Sequence, residues 1–149
     1  MLLTDEYFMK LALNEAEKAL EKGEIPIGCV IVSNDLVIAK AHNLTETLND
    51  VTAHAEMQAF TSASEYLGAK YLTDCTLYVT LEPCIMCLGA SYWTHIQKIV
   101  YGTADKKRKD NIDKKQLLHP KTQYIGGVLE KECATLLSTF FEGKRSPSF

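Results

Sequence analysis

Apolar residues recur at Phe8, Leu11, Ala12, Ala16, Ala19 and Leu20. That three- and four-residue spacing puts them on one face of a helix. Thr4 is a capping residue type, Asp5 and Glu6 follow where the helix dipole favours acids, and Gly23 closes the run. The pattern predicts an amphipathic helix over 5–22, laid against a sheet. The spacing then changes. Ile25 to Val32 and Leu36 to Ala41 are runs rich in branched residues, separated by Ser33-Asn34-Asp35. Two such runs across a short polar turn predict an antiparallel hairpin.

Asn43 ends the hairpin beside a polar loop through Asp50, and Thr52 is placed to cap a helix over 53–67 that Gly68 terminates. Thr76 to Thr80 reads as a strand. Pro83 suits a first helical position, where its missing N–H has no partner in any case, and the helix continues to Trp93. Gln97 to Gly102 is a further strand. Residues 104–122 are charged and aperiodic, which predicts a loop with one helical turn. Gln123 to Gly127 is a short strand, and Glu130 to Phe141 a closing helix with Cys133, Leu136, Leu137, Phe140 and Phe141 on its apolar face. Glu142 to Phe149 is expected to fray. Strands alternating with helices after an opening hairpin predict an α/β architecture with a mixed five-stranded sheet.

A length of 149 residues, 46% of them hydrophobic, suits one domain with one core, here residues 1–149. Met1 to Glu6 holds no basic region leading into an apolar run, and no segment approaches the roughly 18 apolar residues of a membrane span. A cytoplasmic location is expected. The net charge of -3 does not suggest a general nucleic-acid binder. Residues 105–115 depart from that balance, with Lys/Arg at 106–109, 114 and 115 against Asp105, Asp110 and Asp113. Any nucleic-acid contact is therefore local.

Five cysteines without a secretion signal argue for thiol or metal chemistry over a disulfide framework. His54, Cys84 and Cys87 supply one imidazole and two thiolates. Structural zinc sites have four protein ligands, whereas a catalytic zinc has three and keeps a position for water. Each group falls at a predicted helix start, where free N–H groups favour thiolates and can serve a polar ligand atom. Glu56, two residues beyond His54, can attend the open position without binding the metal. Zinc lowers the pKa of a bound water from about 15.7 to near 7, and a carboxylate beside it can shuttle protons. The chemistry implied is hydrolytic deamination of an amidine-like carbon in a nucleobase.

His54-Ala55-Glu56 with Pro83-Cys84-Ile85-Met86-Cys87 resembles the zinc-dependent cytidine/deoxycytidylate deaminase superfamily. Thr52 to Met57, Thr76 to Cys84, Val100-Tyr101-Gly102, Leu118-His119-Pro120, Gly126 to Leu129 and Phe140-Phe141 with Lys144-Arg145 resemble its bacterial tRNA adenosine deaminase group. The resemblance implies a three-layer α/β/α cytidine deaminase-like fold and one Zn²⁺ per subunit on His54, Cys84 and Cys87. It implies that Glu56 is the proton shuttle, that Asn43 hydrogen-bonds the substrate, and that the Ala55 and Cys84 N–H groups lie near the bound water. It also implies a homodimer and a tRNA anticodon loop as partner. Two stretches depart from that group. Lys106 to Ile112 replaces a short Gly/Ala/Ser segment, while Cys87 to Trp93 and Tyr66 to Cys75 resemble bacterial guanine deaminase.

The leading expectation is conversion of adenosine to inosine at the tRNA wobble position. The alternatives are a deaminase of free guanine, cytosine or a nucleoside, and a non-catalytic RNA-binding scaffold that keeps zinc. Glu56 argues against the scaffold, because a structural site needs no proton shuttle. Cys29, Cys75 and Cys133 read as small buried hydrophobes. His95 and His119 lack a second ligand at useful spacing, and His42, beside Asn43, reads as a surface or hydrogen-bonded residue, with an approach to the site as the alternative. Tyr92 and Trp93 are stacking, core or interface aromatics. Glu82 reads as a capping or backbone-supporting residue, with a second acid as the alternative.

Overall fold

The computed structural model describes residues 3–107 and 111–145. Arg108, Lys109 and Asp110 of the basic run, and the tail from residue 146, lie outside the described residues. The elements are α1 (Asp5–Glu21), β1 (Gly28–Ser33), β2 (Leu36–His42), α2 (Ala55–Leu67), β3 (Cys75–Leu81), α3 (Ile85–Thr94), β4 (Lys98–Thr103), a 3₁₀ turn (Lys114–Leu117), β5 (Gln123–Ile125) and α4 (Glu130–Arg145).

One five-stranded sheet runs in the order β2-β1-β3-β4-β5. β1 pairs antiparallel with both β2 and β3, while β3, β4 and β5 are parallel. Parallel neighbours need a crossover, and α3 supplies it between β3 and β4. Side chains alternate between the two faces with the period of two that a strand imposes. Cys29, Ile31, Leu77, Val79 and Ile99 pack with Ala55, Ala59, Phe60 and Leu88 of α2 and α3. Val30, Val32, Tyr78 and Val100 pack with Phe8, Met9 and Ala12 of α1 and Cys133 of α4. This is the expected three-layer α/β/α arrangement. Helix α1 lies directly on β1, since a Cβ at Gly28 would collide with the backbone of Ala12 and Ala16.

Several boundaries differ from the sequence reading. The first strand begins at Gly28 and not at Ile25, because Pro26 has no N–H and Ile27 N–H donates to Ile25 O at 2.8 Å in a tight turn. Thr52 does not cap α2. Its N–H and hydroxyl both donate to Asp50 Oδ1, at 2.8 and 2.7 Å, so the loop uses it and His54 becomes the N-cap. Pro83 is not the first residue of α3 either; Cys84 is the N-cap, in an extended conformation. The last strand stops at Ile125, and α4 runs on to Arg145, four residues beyond the predicted end.

Candidate active site and metal centre

The N-termini of α2 and α3 meet at one end of the sheet. His54 caps the first and Cys84 the second, each with extended backbone and no side-chain hydrogen bond to its own helix. The side chains turn toward each other. Cys84 Sγ lies 3.5 Å and Cys87 Sγ 3.6 Å from His54 Nδ1. The three ligand atoms are within 4.8 Å of one another. Hydrogen bonding with Cys87 holds the Cys84 thiol down at about 3 against the opposing effect of burial, with His54 adding to it. The same contact, together with burial, pushes Cys87 well up. Two adjacent sulfurs resist both ionising, and a cation between them removes that penalty. One imidazole and two buried thiols therefore form a donor set that fits zinc, with three protein ligands.

Glu56 is the second residue of α2 and is buried. Burial is the main influence on its carboxyl, raising it to about 7, with the Cys84 charge adding and its own backbone N–H opposing. A cation at the three ligands draws that value down toward the ionised form. Ala55 is the first helical residue, so its N–H has no acceptor within the helix. Asn43, just beyond β2, is buried, and its N–H donates to Ile27 O at 3.0 Å.

Two residues that the sequence reading did not single out hold these pieces in place. Gln58 Nε2 donates to His42 O at 2.9 Å and to Ala53 O at 3.2 Å, tying the end of β2 to the start of α2. Glu24 is fully buried, and its carboxylate accepts from Thr47 N (2.6 Å), Thr47 Oγ1 (2.7 Å), Glu46 N (3.1 Å) and Thr45 Oγ1 (3.4 Å). Burial pushes this carboxyl up, but those donors outweigh it and hold it below its ordinary value. The first part of the loop between β2 and α2 is thus tied down by the Glu24 carboxylate, as its last part is by Asp50. A glutamate before Ile-Pro-Ile was the available signal, but its partners lie more than twenty residues away.

A cavity of about 680 Å³ opens above these groups. Its lining includes Asn43, His54, Ala55 and Glu56, together with Ile25, Ile27 and Thr45 and residues 103–107. Helix α4 contributes Leu137 and Phe141 among others. Lys107 Nζ sits 4.4 Å from the centre of the Phe141 ring, a cation–π contact that joins the basic segment to α4. The basic residues divide by role: Lys106 and Lys107 border the cavity, whereas Lys114 turns inward to Glu82 at 3.4 Å.

The other candidates lie elsewhere. Cys29, Cys75 and Cys133 are buried core residues, as expected. His42 is absent from the cavity lining and bridges Glu15 Oε1 (3.1 Å) and Lys22 Nζ (2.9 Å). Lys22 can only donate, so Nε2 accepts and Nδ1 donates to Glu15. Tyr92, Trp93, His95 and His119 form a ring cluster with Tyr71 at the far end of α3, in which Trp93 is 73% exposed. Among the described residues, no helix is long and apolar enough to cross a membrane.

The family model of the cytidine and deoxycytidylate deaminase zinc-binding region matches residues 3–103, and the chain belongs to this family of zinc-dependent deaminases. Its reaction class is hydrolysis of a C–N bond, and the His/Cys/Cys cluster fits one zinc ion per chain. Within the family, the chain is 45% identical over 146 residues to the tRNA-specific adenosine deaminase of Bacillus subtilis (strain 168), covering 95% of this chain and 91% of that protein. A solved structure from work on A-to-I editing by tRNA:A34 deaminases at the wobble position of transfer RNA superposes with a TM-score of 0.81 and 40% identity, over 88% of this chain and 99% of that one. A guanine deaminase structure from Bacillus subtilis is 42% identical with a TM-score of 0.65, over 68% of this chain and 66% of that one.

Proposed function

We propose that this protein converts adenosine to inosine at the wobble position of a tRNA anticodon. The observation that carries this reading is the 45% identity to a tRNA-specific adenosine deaminase along 95% of the chain. The Bacillus subtilis guanine deaminase structure, at 42% identity, covers 68% of it. Lys106 and Lys107 at the cavity border suit a substrate that brings phosphates with its base.

The reaction adds water at C6 of adenine and expels the exocyclic amine as ammonia, leaving a carbonyl. His54, Cys84 and Cys87 would hold a zinc ion, which would supply Lewis-acid activation of the water. Glu56 takes one proton from the water and passes it to the ring nitrogen beside C6, then carries the second proton, from the added hydroxyl, to the departing amine as the carbonyl forms and the C–N bond breaks. Burial raises this carboxyl and a cation would lower it, and the balance of the two suits a group that both takes and gives a proton. The Ala55 N–H donates to the polar atom developing at the reacting carbon. Asn43 orients the flipped-out nucleotide by hydrogen bonding. We read the protein as a cytoplasmic homodimer that makes residues 1–149 one catalytic domain per subunit. The exposed ring cluster around Trp93 supports a dimer contact, because an aromatic surface of that kind favours burial.

The test is ammonia release from the zinc-loaded protein, offered in parallel an anticodon stem-loop with adenosine at the wobble position, free guanine and free cytosine. Release from the stem-loop alone is expected. Release from guanine with none from the stem-loop would overturn the tRNA assignment and leave the deaminase class intact.

A further inference from the structure

Glu82 stands two residues before Cys84 but belongs neither to the metal cluster nor to the cavity lining. Its main-chain N–H donates to Thr103 O at 2.9 Å, continuing the β3–β4 pairing past Leu81↔Thr103. Its carboxylate then gathers three segments that are distant in sequence. Oε1 accepts the Asp105 N–H at 3.0 Å. Oε2 lies 3.4 Å from Lys114 Nζ and accepts the Tyr124 hydroxyl at 3.5 Å. The Glu82 and Lys114 side chains are only 16% and 14% exposed, so solvent screens the pair weakly. Burial, then the Glu82 charge, pushes the Tyr124 phenol up, which keeps it protonated and able to donate.

Asp105 lies in the middle of the 103–107 border of the cavity. Its Oδ1 accepts the Lys107 N–H at 3.3 Å, and Lys107 in turn rests on the Phe141 ring. A continuous set of contacts thus runs from the turn that carries Cys84, through Glu82, to the border segment and on to α4. Without the carboxylate, the Asp105 N–H and the Lys114 ammonium lose their acceptor in a poorly hydrated place. The metal ligands and the parallel strand pairs keep theirs.

We propose that Glu82 is a positioning residue that fixes the 103–107 border at a set height above the metal-bearing turn, with Lys114 as its charge partner. It thereby governs how the substrate is bound more than how the C–N bond is broken. The choice of substrate in the test rests on the tRNA reading above.

The test uses the full-length, zinc-loaded protein and an adenosine-containing anticodon stem-loop. Glu82→Ala is expected to raise KM about tenfold, with kcat within about threefold and zinc still at one per chain. Glu82→Gln, whose amide oxygen can still accept from Asp105, should recover most of the KM. Lys114→Met should raise KM about threefold alone and add nothing in the Glu82→Ala background, as expected of partners in one contact. An unchanged KM in Glu82→Ala, a fall in kcat at constant KM, a loss of zinc, or additive effects of the two changes would each overturn the proposal. If Glu82→Ala does not fold, Lys114→Met carries the test, and an unchanged KM there overturns it. If the wild type acts on guanine and not on the stem-loop, the tRNA reading falls, and the same KM ratios measured with guanine decide the role of Glu82.

Discussion

Cys84 Sγ lies 3.5 Å from His54 Nδ1, and both residues occupy helix N-cap positions without capping their own helices. Serine, threonine, aspartate and asparagine normally fill that position, because their side-chain oxygens satisfy a free N–H of the first turn. Here two helices give up that stabilisation, and the two side chains are turned across the gap to form a metal site.

Replacing Cys84 by serine should therefore separate stability from metal binding. The hydroxyl can cap α3, for a gain of about 1 kcal/mol, or roughly 2–4 °C in melting temperature for a chain of this size. In chelator, Cys84→Ser should melt above the wild type, while elemental analysis should find its zinc lost. Cys87→Ala should lose zinc without the gain in stability. Full zinc content in either variant would refute the ligand assignment.

The Glu56 carboxyl, raised to about 7 by burial, accepts a proton only when ionised. Activity should then fall as pH drops through its pKa, and a neighbouring dication lowers that value. The acid limb of kcat/KM is expected at or below about 7. Glu56→Ala should retain zinc and lose about 10²–10⁴-fold in turnover. A rate that rises toward acid, or an active Glu56→Ala, would exclude this role.

Glu24 makes a separate pH prediction, for stability. Its folded-state pKa is held below the ordinary 4.5 by donors from Thr47, Glu46 and Thr45, which outweigh burial. Between those two values the unfolded chain binds more protons, so the contribution is complete above pH 4.5 and is lost as pH falls through the lower, folded value. In urea melts of the metal-free protein, Glu24→Gln should be about 2 kcal/mol less stable than wild type at pH 7. The gap should close in acid; a gap independent of pH would show that the carboxylate charge is not what orders the loop.

Binding of an anticodon stem-loop should weaken steeply with salt, because phosphate contacts release counterions. Lys106→Ala and Lys107→Ala should each lower the log–log slope by about 1. Lys114→Met should leave the slope unchanged, since that ammonium is committed to Glu82. Equal slopes for all three variants would place the phosphates elsewhere.

The sequence by itself determined the layers and the chemistry. Helical periodicity from Phe8 to Leu20 and branched runs such as Val30-Ile31-Val32 are local patterns, legible because each residue's face follows from its position in its own element. The cluster of His54, Cys84 and Cys87 was legible for a similar reason: zinc chemistry restricts both residue type and short-range spacing. Boundaries were read less well where a local signal was outbid. Thr52 is a good cap by type, but Asp50 holds its hydroxyl, and Pro83 fits a first helical turn that begins two residues later. Only the tertiary structure decided what surrounds the site. Glu24 with Thr47, Glu82 with Asp105 and Lys114, Gln58 with His42 O, and Lys107 on Phe141 join residues from separate segments. Such pairs leave no periodic trace along the chain, because they are set by the strand order β2-β1-β3-β4-β5, which brings loops far apart in sequence to one end of the sheet.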